Sequence, residues 1–309
     1  MLLPRLRALL TSAAFVVSGV FGVAHAQTEQ GLPMWVIKDA DSTIYMTGTI
    51  HMLPPEVQWD SEKLRNAVKD AEELWLELPM KSDVMAWAAE AAPVMMKYAI
   101  GTTPLTKLLT PEEVATLKAR IADADLPPET FTVLNMMKPW YASMLLGISP
   151  LMAGGYDPAA GIDVKIVKLA EDDGDAVKGF ETIEEQSKLL SSGTPEEQLA
   201  ALRSLLAMPP AEVAAAKAAM DRLAVTWANG DISGTQAMFE DMSETDEAHF
   251  GGAALDTLLK NRNENWAGQI ETMLKGKGTH FVAVGAGHLV GPDSVQERLK
   301  LRGITAERY

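Results

Sequence analysis

The sequence predicts an α/β fold: a central mixed β-sheet built from N- and C-terminal strand–GxxH–helix–strand units, with a helical middle insertion packed over it. Three observations predict it. An apolar strand runs into Gly48-Thr-Ile-His51, and another runs into Gly285-Ala-Gly-His288 near the other end of the chain. Each is followed by a proline, a helix and a further strand. Between them lie long segments of helical periodicity, two of them opened by Thr-Pro-Glu-Glu caps.

The first segment reads as a targeting signal. Arg5 and Arg7 form a short basic region, Ala8 to Val23 is almost wholly apolar or small, and Ala24-His25-Ala26 is a small-x-small cleavage site. The apolar run is marginally long enough to span a membrane, but the cleavage site and the polar Gln27-Thr28-Glu29-Gln30 that follows favour removal. Residues 1–26 are therefore expected to be a cleaved signal peptide and residues 27–309 a single domain, periplasmic or secreted, with no stable membrane anchor afterwards. There is no cysteine, hence no lipid attachment site and no disulfide framework; the domain must fold on its hydrophobic core alone.

Within that domain, Trp35 to Thr47 reads as a hairpin turning at Asp39-Ala-Asp41-Ser42. Ser61 caps a helix expected to run to Glu72, and Leu74-Trp-Leu-Glu-Leu78 reads as a buried strand stopped by Pro79. Capped helices follow from Thr110 and Thr194. Pro139 opens an apolar helix through Leu146, and a long helix from Ala211 to Trp227 ends at Asn229-Gly230. Ala176 to Glu181 is a short strand. A last long helix is expected over Ala254–Leu274, then a strand from Thr279 to Val284, a helix from Asp293 to Arg302, and a final strand from Ile304 to Arg308. Paired methionines, Met95-Met96 and Met136-Met137, read as core filler.

The formal net charge is −15, with no basic cluster outside the signal, which argues against nucleic acid or anionic lipid as a partner. No G-x-S-x-G elbow, H-E-x-x-H helix or Walker loop is present, and no G-x-G-x-x-G opens a helix after an early strand. What stands out is the internal echo. Glycine lets the chain turn sharply on leaving a strand, and a histidine three residues on then sits at the carboxyl edge of the sheet, where open α/β sheets bind ligands. Two such turns in one sheet can aim two imidazoles into one crevice. His280 lies inside a strand and reads as a core or edge histidine, and His249 as a surface-loop residue.

With both turns in hand, the chain resembles the TraB/PrgY/GumN family, which includes the animal Tiki proteases that cleave Wnt proteins. The resemblance is carried by Gly48-Thr-Ile-His51, Glu77-Leu78, Gly161-Ile-Asp163, Gly179-Phe-Glu181-Thr with Glu185-Gln186, Arg262-Asn263 with Trp266, and Val284 through Val295 with Leu299, Gly303 and Ile304. It implies a metal-dependent hydrolase, in which His51, His288 and a glutamate, Glu77 by position, hold the metal.

The residues themselves suit such chemistry. Neutral imidazole binds divalent Mn, Co or Zn, and one or two carboxylates complete the site; an open position then holds water, whose pKa falls to ~7 on a catalytic ion such as zinc. Glu77 is read as ligand or base and Glu181 as base or outer-sphere support, each with a structural ion pair as the alternative. Asp163 is either a helix cap or a site carboxylate. Arg262 is either a clamp for a substrate carboxylate or oxyanion or a surface salt bridge. Gly48 and Gly285 support the site as turn residues, and Thr47 and Thr49 are placed to hydrogen-bond near it. The expected function is an exported hydrolase acting on a peptide or protein; the alternatives are a hydrolase of another bond and a non-catalytic periplasmic protein that captures a peptide, metal or haem-like ligand.

Overall fold

The computed structural model describes residues 31–246 and 257–309. The expected signal peptide, His249 and the beginning of the helix expected over Ala254–Leu274 lie outside the described residues.

The hairpin forms as its pattern dictates. β1 (Met34–Lys38) and β2 (Ser42–Thr49) pair antiparallel, and the Asp39 carboxylate closes the turn by accepting the Asp41 and Ser42 N–H groups. With β3 (Glu73–Leu76), β4 (Ala176–Gly179), β5 (Gly278–Gly285) and β6 (Glu307–Arg308) they make a six-stranded mixed sheet of order β4-β3-β5-β2-β1-β6. Only β1 is reversed. β2, β5, β3 and β4 pair in parallel, and β6, antiparallel to β1, therefore runs the same way. β2 and β5 come from opposite ends of the chain and are neighbours, with Thr49 in register with Gly285. Both GxxH turns thus leave the same carboxyl edge. Both strands are buried on consecutive residues rather than alternate ones, so the sheet is covered on both faces.

The helices, in chain order, are α1 (Glu62–Lys69), α2 (Val84–Ala99), α3 (Leu105–Leu108), α4 (Pro111–Asp123), α5 (Thr130–Asn135), α6 (Pro139–Ala153), α7 (Ile162–Asp173), α8 (Ile183–Leu190), α9 (Pro195–Ala207), α10 (Pro210–Ala228), α11 (Ile232–Asp246), α12 (Arg262–Leu274) and α13 (Val295–Leu301). The helical middle makes two excursions, α2–α6 and α8–α11. Between them α7 and β4 return to the sheet, α7 packing beside α1. The excursions share a core of their own around Leu105, Leu117, Ile121, Leu134, Leu146, Leu202 and Leu206. α10 ties them to the sheet by inserting Trp227, wholly buried, into the main core. Among the described residues no single helix is long and apolar enough to cross a membrane.

Several expected boundaries move, each for a local reason. α1 stops at Lys69 rather than Glu72, because the Glu72 N–H donates across to Thr279 O at the start of β5. α6 continues past Leu146 to Ala153 despite Pro150; the carbonyl of Leu146, which proline cannot serve, accepts the Ser149 hydroxyl at 3.4 Å. The last strand is reduced to Glu307–Arg308, since Gly303 in the left-handed region turns the chain and the Ile304 N–H is bonded back to Leu299 O. Met137 is buried with Met95 and Met96 packed near it, but Met136 is exposed.

Candidate functional site

Glu77 lies one residue beyond β3, not within a strand reaching Leu78. The backbone pairing nevertheless continues: Phe180 N–H donates to Leu76 O and Glu181 N–H to Glu77 O. This sets Glu77 and Glu181 side by side at the carboxyl edge. The next strand over ends at Gly285, whose N–H donates to Glu77 Oε1 at 2.8 Å. Gly285 is the floor of the cleft. A Cβ there would stand 3.0 Å from Glu77 Oε1, 3.5 Å from His288 Cδ2 and 3.9 Å from His51 Nε2. The structure therefore brings His51, Glu77 and His288 together around one glycine.

Each histidine is oriented through its Nδ1. Ile162 N–H donates to Ile50 O, docking the start of α7 against the first turn. A side chain on Gly161 would collide with the His51 carbonyl, so only glycine permits this approach. Asp163, in the first turn of α7, then accepts His51 Nδ1–H at 2.6 Å. Asp163 is not the cap of α7, a place taken by Gly161; it is the partner of His51. On the other side, Asn263 Nδ2 donates to Asp293 O at 2.8 Å, so its Oδ1 accepts His288 Nδ1–H at 2.5 Å. Both Nε2 atoms are left for the cleft, the arrangement typical of metal-ligating histidines.

The two imidazoles differ electrostatically. The His51 side chain is 61% exposed, and the adjacent Asp163 carboxylate, more than offsetting any desolvation, raises its pKa to about 9. Burial lowers that of His288 to about 4, aided by the positive charges of Arg262 and His51 and only partly offset by Glu77. At neutral pH His288 is thus a neutral ring whose Nε2 accepts from Arg262 Nη1 at 3.1 Å. Asp163→Asn is expected to bring the His51 pKa down toward the ordinary histidine range. An NMR pH titration of the His51 ring in metal-free protein measures this, and an unmoved midpoint would contradict the assignment of Asp163 as its cause.

Arg262 is not a surface residue. It opens α12 with its side chain 12% exposed. Nε and Nη2 donate to Glu181 Oε1 and Oε2 at 2.7 and 3.0 Å, and Nη2 also donates to Glu77 Oε2 at 2.6 Å. Trp266, one turn on, donates Nε1 to Glu181 at 3.2 Å and packs its ring 4.4 Å from that of His288. Burial alone would raise the Glu77 carboxyl; His288, His51, Arg262 and the Gly285 N–H together bring it down to about 2.

Asn263 and Trp266 are functional neighbours that sequence reasoning left without a role. Their signal was their place in one helical turn with Arg262. Gly48 acts at a distance: a side chain there would strike Trp227, whose Nε1 donates to Gly48 O at 2.9 Å. Thr47 serves the fold, its hydroxyl donating to Pro33 O. His280 sits near the start of β5, with Nδ1 3.3 Å from Glu73 Oε2. Among the described residues no three His, Asp or Glu side chains form a group spaced to hold a metal. The donor types suit one chemically, two imidazoles with Nδ1 anchored elsewhere and a carboxylate 3.6 Å from His288 Nε2, but Arg262 lies on Glu77 and His288.

A mixed α/β sheet with two histidines and two carboxylates gathered at its carboxyl edge defines a class of protein with a polar, titratable cluster at that edge. The chain belongs to the TraB/PrgY/gumN family, whose model matches residues 33–308. It is also similar to an uncharacterized protein of Treponema pallidum (strain Nichols), 22% identical over 276 residues that cover 87% of this chain and 80% of that one. No solved structure matches it.

Proposed function

We propose that this protein is an exported, metal-dependent hydrolase that cleaves peptide bonds at the cleft of His51, Glu77 and His288. The observation that carries the reading is the paired orientation of the two imidazoles: each Nδ1 is anchored by its own partner, Asp163 or Asn263, His288 Nε2 lies 3.6 Å from Glu77 Oε1, and His51 Nε2 converges on the same glycine, Gly285. That pattern supports His51, His288 and Glu77 as the residues that hold a divalent ion, Mn, Co or Zn. Such an ion supplies Lewis acidity and an activated water. Glu181, bonded to Arg262 and Trp266, is read as the base or as the carboxylate that positions Arg262, and Arg262 as the cation beside any developing oxyanion. The basic, apolar and A-x-A segments of residues 1–26 support export to the periplasm or beyond, where the substrate is a peptide or protein and not nucleic acid.

Elemental analysis of the mature protein tests the reading, together with a peptide-library cleavage screen. The wild type should carry roughly one divalent ion per chain and cleave; His51→Ala and His288→Ala should lose both ion and cleavage. Equal metal content in all three proteins would refute the site. A Soret band on haem titration, with no cleavage, would favour a binding protein instead.

A further inference from the structure

We propose that Arg262 is a built-in counter-cation of the cleft, sharing its binding atoms with the divalent ion, so that arginine and ion are mutually exclusive partners of Glu77 and His288. The inference rests on the metal reading above. His288 has one ring nitrogen left for a ligand, because Nδ1 is committed to Asn263. That Nε2 faces Arg262 Nη1 at 3.1 Å. Glu77 has Oε1 on the Gly285 N–H and Oε2 on Arg262 Nη2 at 2.6 Å. The guanidinium therefore lies on two of the three donor groups an ion would take. A guanidinium and a divalent cation repel strongly at such range where water is scarce, so one must yield.

Yielding does not require the side chain to leave. Arg262 Nε and Nη2 also hold both oxygens of Glu181, at 2.7 and 3.0 Å, a bidentate geometry that is strong and directional. Glu181 is itself pinned by Trp266 Nε1. It is the pivot on which the guanidinium turns, keeping one carboxylate while Nη1 leaves His288 and Nη2 leaves Glu77. The backbone at this point carries a matching feature: Arg262 follows directly on a π-helical turn, Thr257–Asn261, a conformation that is rare and concentrated at functional sites. In either state Glu77 faces a cation, and no buried carboxylate is left unpaired.

If Arg262 merely braced Glu77 for the ion, removing it would weaken metal binding; under exchange, removing it strengthens binding. Calorimetric titration of MnCl2 and of ZnCl2 into metal-free protein reads that sign directly. Arg262→Gln is expected to bind at least ~10-fold tighter than wild type, Arg262→Lys to fall between them, and methylguanidinium at tens of millimolar to return Arg262→Gln toward the wild-type affinity. Arg262→Lys keeps a cation in the cleft and so serves if the glutamine variant does not fold. Affinities equal to or weaker than wild type in the folded variants overturn the exchange. If His288→Ala abolishes binding while neither Arg262 variant gains, only the exchange falls; if wild type and Arg262 variants alike bind neither ion, the metal reading falls with it.

Discussion

In metal-free protein Glu77→Gln should lower stability at neutral pH by a few kcal/mol, as when one partner of a buried ion pair is removed, and under the proposed hydrolase function it should reduce peptide cleavage at least ~100-fold. The pH dependence follows from the depression of the carboxyl from 4.5 to about 2 by its neighbours. Because the folded-state pKa lies below the unfolded one, the contribution is complete above the unfolded value and is lost as pH falls through the folded value. Urea midpoints of wild type and variant should therefore stay well apart from about pH 5 to 8 and converge as pH drops toward 2. A gap that is constant across that acid range would show that Glu77 is not held ionised by its neighbours. The size of the effect reflects the position: the side chain is 12% exposed, and the glutamine leaves Arg262 without one of its two carboxylates.

Trp227→Ala should cost about 3–5 kcal/mol, the range for emptying a fully buried tryptophan site, with a matching fall in the urea midpoint and an unchanged slope. Trp227 is wholly buried, stacks 6.5 Å from Trp35, and is bonded to the carbonyl of Gly48. Gly48→Ala is the companion experiment. A methyl at position 48 runs into the indole, so overpacking should cost about 1–3 kcal/mol in the wild type and markedly less in the Trp227→Ala background. Additive losses would mean that the two residues do not press on each other. The pair also matters for the cleft, since Gly48 opens the turn that carries His51 three residues later.

Local chemistry was legible in the chain. The capping boxes at Thr110 and Thr194 form as read, with side chain and backbone satisfying each other reciprocally, and Asn229-Gly230 ends α10. The glycine turns at 48 and 285 were legible because a glycine leaving an apolar strand has a local geometric meaning. A third capping box, Thr182 with Glu185, opens α8. Asp163 and Arg262 resisted assignment because a carboxylate at a helix start and an arginine on a helix look alike in sequence whether they face solvent or a cleft.

Residues adjacent in sequence thus settled the hairpin, the caps, the two histidine turns and the family, since those depend on backbone preferences within a few positions. Which histidine is charged, and what each carboxylate touches, required the sheet to set β2 beside β5 and β3 beside β4, and α12 to lay Arg262, Asn263 and Trp266 across their ends. Electrostatics at a few ångströms depends on distance in space, and partners here such as Glu77 and Gly285 are separated by 208 positions along the chain.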